Sequence, residues 1–166
     1  MRTVLIILCL WMVTLSADQL CDKIKDCIAE QLSTSGTLKQ DSQGYVYVDI
    51  DDRYIVSLIE LIEKEGFEQP PYFGPGLHGA HISVISAQEA KKFALGKIKE
   101  RGATIPFTIK DCQIVHPPTW KEVESIYILT VEAPLLDELR QQYGLPKSRY
   151  DFHITIGLIY KEAQAA

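Results

Sequence analysis

The sequence predicts a mixed α+β domain built on a duplicated unit, and three observations predict it. Short β-branched and aromatic runs alternate along the chain with helical patterns. The order strand, helix, loop, strand occurs twice, over Tyr45 to Ile85 and over Ser125 to Tyr160. The last strand of each copy opens with the same kind of triplet, His81-Ile82-Ser83 and then His153-Ile154-Thr155. Residue identity between the copies is low, so the repeat is one of pattern.

Leu20, Ile24, Ile28 and Leu32 paint one stripe on a helix over 19–32, and the Ser/Thr/Gly-rich stretch 33–43 reads as a loop. Tyr45 to Ile50 alternates as a strand does. Asp51 or Asp52 can cap a helix that runs to about Glu65, with Gly66 as its stop. Three prolines and three glycines exclude regular structure between Phe67 and Gly79. A short strand follows over 81–85. Ser86 and Glu89 form a capping box for a helix expected to end near Gly102. Residues 104–115 read as a strand with a bend at Pro106, stopped by His116-Pro117-Pro118. A strand over 125–131, a helix over 134–143 closed by Gly144, and a strand over 152–160 complete the chain.

With 166 residues and 46% hydrophobic content, the chain can bury a full core as one domain or two closely packed lobes. A formal charge of -5 leaves no basic surplus to displace counterions from long nucleic acid, so any phosphate ligand should be small. Residues 1–17 have the pattern of a cleaved signal peptide: Arg2, an apolar run from Val4 to Leu15, then Ser16-Ala17. The expected mature domain is 18–166. It would be secreted or periplasmic, monomeric, and without stable membrane contact. Cleavage leaves Cys21, Cys27 and Cys112; either Cys112 bonds to one of the other two, or all three remain buried thiols.

Alternation along a strand projects His81 with Ser83 to one side and Ala80, Ile82 and Val84 to the other. By the same rule His153, Thr155 and Gly157 share a face, with Phe152, Ile154 and Ile156 packed inward. The chemistry that suits such a pair is displacement at phosphorus, which needs a base, an acid and donors to the non-bridging oxygens. Two imidazoles supply base and acid near neutral pH, the hydroxyls supply donors, and neither metal nor cofactor is required.

These apolar-His-x-Ser/Thr-apolar motifs, at Ala80 to Val84 and Phe152 to Ile156, together with the duplicated element order over residues 44–160, resemble the two-histidine (2H) phosphoesterase superfamily. The resemblance implies a bilobal α+β fold of pseudo-twofold symmetry, two antiparallel sheets flanking a central cleft with helices outside. It implies metal-independent hydrolysis of a 2′,3′-cyclic or other small RNA-type phosphodiester. His81 and His153 would be the catalytic acid and base, and Ser83 and Thr155 the phosphate-binding hydroxyls. Export and acidity favour a nucleotide or short oligonucleotide as substrate.

Further substrate contacts are expected from Tyr72 and Trp120, loop aromatics able to stack on a base, and from Arg149 and Tyr150 just before the second motif. His78 and His116 read as ordinary loop histidines. Asp151 would raise the His153 pKa if it shared that strand face. Two other classes remain open: a non-catalytic nucleotide-binding module of the same fold, and a metal site drawing on His78, His81, His116 and His153.

Overall fold

The computed structural model describes residues 16–74 and 76–161. Their elements are α1 (Ala17–Gln31), β1 (Ser35–Gln40), β2 (Val46–Asp49), α2 (Arg53–Ile62), β3 (His81–Ile85), α3 (Ala87–Lys92), β4 (Thr104–Pro106), β5 (Thr108–Val115), β6 (Val123–Glu132), α4 (Pro134–Gln142) and β7 (His153–Tyr160). The expected signal segment lies outside the described residues except for Ser16 and Ala17. Ser16 caps α1, its Oγ accepting from Gln19 N while the Gln19 side chain returns to the Ser16 N–H.

All seven strands form one antiparallel sheet in the order β4-β1-β2-β3-β7-β6-β5, where two flanking sheets were expected. The two halves keep their separate meanders, β1 to β3 in one and β5 to β7 in the other. They are joined where Ile82 pairs with Ile154. Both isoleucines are fully buried, and continuing the sheet through them satisfies inner strand edges that two separate sheets would leave open.

The sheet is also curled. β4 and β5 occupy opposite edges, yet only Phe107 separates them in sequence, so the edges must come together. Residues 104–115 are therefore two strands on different sides of the molecule rather than one bent strand. Phe107 donates its N–H to Thr34 O and packs on Tyr54 of α2 at a ring separation of 6.1 Å, which sets the curl toward the helices.

The core fills that helix side. Ile24 and Ile28 of α1, Tyr54, Leu58 and Ile62 of α2, and Leu136 and Leu139 of α4 meet Val48, Ile82, Leu129 and Ile154 of the sheet. The helices are exchanged between the halves: α2 lies against β7, and α4 against β3. Gly157 records how close this packing is, because a Cβ there would lie 3.0 Å from Ile59 Cδ1 and 3.1 Å from Ile62 Cδ1. It therefore faces α2, not the face of His153 and Thr155 as simple alternation predicts. The cause is a register shift in β6 and β7 between Tyr127 and Ile128, which reverses the alternation beyond Thr155.

Two other expectations change. The stretch 33–43 contains β1, paired on both sides; Gly36 is needed there because a Cβ would come within 2.7 Å of Ile50 and Val48. The helix after Ser86 keeps its capping box but stops at Lys92, where Ala94 turns left-handed at φ 49°. Arg140 of α4, almost fully buried, ties this region together. Its guanidinium donates to Val84 O (2.6 Å), Pro146 O (3.0 Å) and Glu89 Oε1 (2.7 Å).

Cys21 of α1 is bonded to Cys112 of β5 across a Cα separation of 5.6 Å, and Cys27 is free. The bond closes a segment of 91 residues. Cys112→Ala should therefore lower unfolding stability by about 4.6 kcal/mol, the chain-entropy value for a loop of that order. Urea titration with and without dithiothreitol checks this: reductant should bring the wild type down to the variant and leave the variant unchanged. Arg140→Leu should cost about 3 kcal/mol in the same titration, since it strands Glu89 and two carbonyl oxygens.

Candidate active site

β3 and β7 are the two central strands, and the Ile82 to Ile154 pair fixes their register. Antiparallel pairing then sets His81 alongside Thr155 and Ser83 alongside His153. Each imidazole thus neighbours the hydroxyl of the other motif. Ile82 and Ile154 point into the helix-side core, so alternation puts all four motif side chains on the opposite face.

The two histidines are held in the same way. His81 Nδ1 contacts Gly79 O at 2.8 Å, and His153 Nδ1 contacts Asp151 O at 2.9 Å. A carbonyl oxygen can only accept, so each Nδ1 must carry the proton and each Nε2 is left with its lone pair free. The backbone before each histidine is anchored alike as well. Ile50 N donates to Ala80 O at 3.1 Å, and Val131 N donates to Phe152 O at 2.8 Å. The contact to Asp151 is through its backbone carbonyl, which differs from the carboxylate interaction anticipated for His153.

Asp52 completes the support of His81. It occupies the N-cap position of α2 but makes no side-chain cap bond. Its Oδ1 instead accepts the Ala80 N–H at 2.8 Å, and the neighbouring Asp51 takes the Arg53 N–H. Gly79 makes room for this with φ +67°, and a Cβ there would collide with Asp52 Oδ1. The residue whose carbonyl orients His81 must therefore be glycine.

Aromatic residues surround His81. Tyr72 lies edge-on at 4.9 Å, Tyr47 at 5.8 Å and Tyr45 at 6.0 Å between ring centroids, and His78 stands 5.9 Å away. Burial in this group lowers the His81 pKa below the usual imidazole value, and His78 and His153 act in the same direction; the Gly79 carbonyl opposes them. His81 is therefore neutral at physiological pH. Tyr45 OH lies 2.5 Å from Ser83 Oγ, and the Tyr72 hydroxyl neighbours Thr155. Burial pushes Tyr72 up to about 12 and raises Tyr45, so both phenols stay protonated. Asp49, the strand partner of His81, is neutralised by Lys39 at 2.6 Å.

The other sequence-derived candidates fall elsewhere. Tyr150 is 69% exposed, with the Arg149 guanidinium stacked on its ring at 5.6 Å. It lines a depression with Lys110, Asp137 and Lys147 rather than the histidine face. Trp120 sits in the turn before β6, whose first residue pairs with Tyr160. His153 is at the other end of β7, roughly 20 Å away at 3.3 Å per residue. Tyr45 and Tyr47 were not anticipated, His78 was read as a loop histidine or a metal ligand, and Asp52 as a helix cap. The alternation of Tyr45 with Tyr47 was a usable signal, but only register with β3 shows that it matters. Among the described residues, no group of three or more His, Cys, Asp and Glu side chains is arranged to hold a metal ion.

Adjacent central strands thus each present an imidazole and a hydroxyl, related by an approximate twofold repeat. Residues 46–163 match the family model described as "Swiss Army Knife, 2H phosphoesterase domain". The chain belongs to the 2H phosphoesterases, a family of phosphodiester-cleaving hydrolases. The match includes both motifs and leaves α1 and β1 outside it. No curated protein and no solved structure matched the chain.

Gly79→Ala should lower stability by about 2 kcal/mol, from the left-handed backbone and the displaced carboxylate together, and should reduce kcat/KM more than tenfold. Asp52→Asn retains an Oδ1 acceptor and should behave nearly as wild type, whereas Asp52→Ala should resemble Gly79→Ala. Thermal melts paired with steady-state assays separate the two classes.

Proposed function

We propose that this protein hydrolyses a small 2′,3′-cyclic or short nucleotide phosphodiester without a metal, with His81 as general base and His153 as general acid. The observation that carries the reading is the matched pair of Nδ1-to-carbonyl contacts, which leaves both Nε2 atoms for proton transfer. The lowered pKa of His81 supports the division of roles. Neutral His81 takes a proton from water through Nε2 as the water oxygen attacks phosphorus. The P–O bond to the leaving oxygen breaks, and protonated His153 delivers its Nε2 proton to that oxygen. His81 is then charged and His153 neutral, and exchange with solvent resets the pair.

The motif hydroxyls supply the donors. If Tyr45 donates to Ser83 and Tyr72 to Thr155, each motif hydroxyl has its own hydrogen free for a non-bridging phosphate oxygen. The proton inventory is complete with two imidazoles. The Cys21–Cys112 bond supports export to an oxidising compartment, in keeping with the apolar segment at the N-terminus.

Turnover of 2′,3′-cyclic nucleotides should survive excess EDTA and fall at least about a thousandfold in His81→Ala or His153→Ala. Loss of turnover in EDTA would favour metal chemistry, and tight binding without turnover would favour a binding module. The pH profile of kcat/KM should be bell-shaped. Because His81 must be unprotonated to act as base, its lowered pKa should put the midpoint of the acidic limb below about 6.5. An acidic limb that persists unchanged in His81→Ala would remove the assignment.

A further inference from the structure

The turn between β1 and β2 and the segment from α3 to Arg101 enclose a depression lined by Ser42, Gly44, Lys91, Lys97 and Arg101. Three cations therefore converge on one concave surface of a protein whose net charge is -5. None of the three is in an ion pair among the described residues.

The nearby carboxylates are committed elsewhere. Glu89 binds Arg140 at 2.7 Å. Glu100 accepts from Tyr143 at 2.7 Å and Gln142 at 2.8 Å. Asp41, the one acid on the rim, accepts the N–H groups of Gln43 and Tyr45 at 2.8 and 2.9 Å and faces His78 at 3.7 Å. Among the lining side chains, three cations thus face the single carboxylate of Asp41, and a local positive surplus remains.

The depression adjoins the candidate active site. Gly44 lines it, with no room for a side chain beyond 2.9 Å from Ala90 Cβ, and the next residue, Tyr45, reaches to Ser83 with its hydroxyl. A ligand with its reacting phosphate at Ser83 and His153 can run past Tyr45 and set further phosphates among Lys91, Lys97 and Arg101.

Resting on the function proposed above, we propose that this basic depression binds the backbone phosphates of a short single-stranded oligonucleotide whose terminal phosphodiester is cut at the histidines. The preferred substrate is then a short oligonucleotide with a cyclic end rather than a free cyclic mononucleotide. Three exposed cations suit two or three phosphates and not a long strand, in agreement with the acidic remainder of the surface.

The test compares a 2′,3′-cyclic mononucleotide with a trinucleotide ending in the same cyclic phosphate. Wild type should prefer the trinucleotide in kcat/KM by about fivefold per added phosphate, the upper worth of one exposed ion pair. In the combined variant Lys91→Ala, Lys97→Ala, Arg101→Ala that preference should fall to near one, while the remote substitution Lys64→Ala should keep it. A fluorescent, non-hydrolysable 2′-O-methyl trinucleotide gives a readout independent of turnover. Its log Kd against log salt should change by about 0.7 per phosphate engaged and flatten in the triple variant.

Equal kcat/KM for the two substrates, a salt slope unchanged by the triple variant, or equally tight binding of an acidic peptide of matching charge would overturn the proposal. If neither cyclic substrate is cut, the proposed hydrolysis fails, and the binding titration still decides whether the depression holds an oligonucleotide.

Discussion

The pairing of Ile82 with Ile154 is the contact on which the site depends. It joins the halves of the sheet, and its register determines that each histidine stands beside the hydroxyl of the other strand. A slip by one residue would turn both motifs into the core and both isoleucines out. Hydrogen bonding does little to prevent this, because β3 and β7 share a single paired position. Packing prevents it. Ile82 and Ile154 are completely enclosed, and each motif strand lies over the helix of the other half. Below the junction, Glu68 takes over as the partner of Leu158, with bonds of 2.8 and 2.9 Å.

Around that junction the local rules of folding yield to placement of His81. Asp52 is a good capping residue in a cap position, and its carboxylate bonds instead to the backbone before the histidine. Gly79 accepts a left-handed conformation so that its carbonyl can orient the ring. Two half-buried phenols are turned to the motif hydroxyls rather than to the core. Departures of this kind are expected where geometry serves chemistry.

Much of this was legible in the residues. Strands β2, β3 and β7 show themselves by alternation, α1 and α2 by their apolar stripes, and α3 by its capping box. The paired triplets pointed to the candidate site. What escaped depends on neighbours that a one-dimensional pattern does not hold. The strand Ser-Gly-Thr-Leu-Lys-Gln of β1 buries only Leu38, and it is a strand because β2 and β4 flank it. A register shift moved Gly157 across the sheet. His78 lies in a loop without pattern, and only the folded chain brings it over Tyr47, at 4.9 Å. The single run over 104–115 conceals a change from one edge of the sheet to the other at Phe107.

That change of edge bears on how the protein survives in solution. Open edges invite another chain to add a strand, the first step toward aggregates. Here the outermost strands are consecutive in sequence, so neither stands far from the other. One edge is only three residues long and finishes in Pro106, which has no N–H to offer. The longer edge carries Lys110 and Asp111 and is tied to α1 through Cys112. A foreign strand thus meets a short, proline-ended edge or a charged and tethered one, and the sheet that carries the histidines is protected from growing beyond itself.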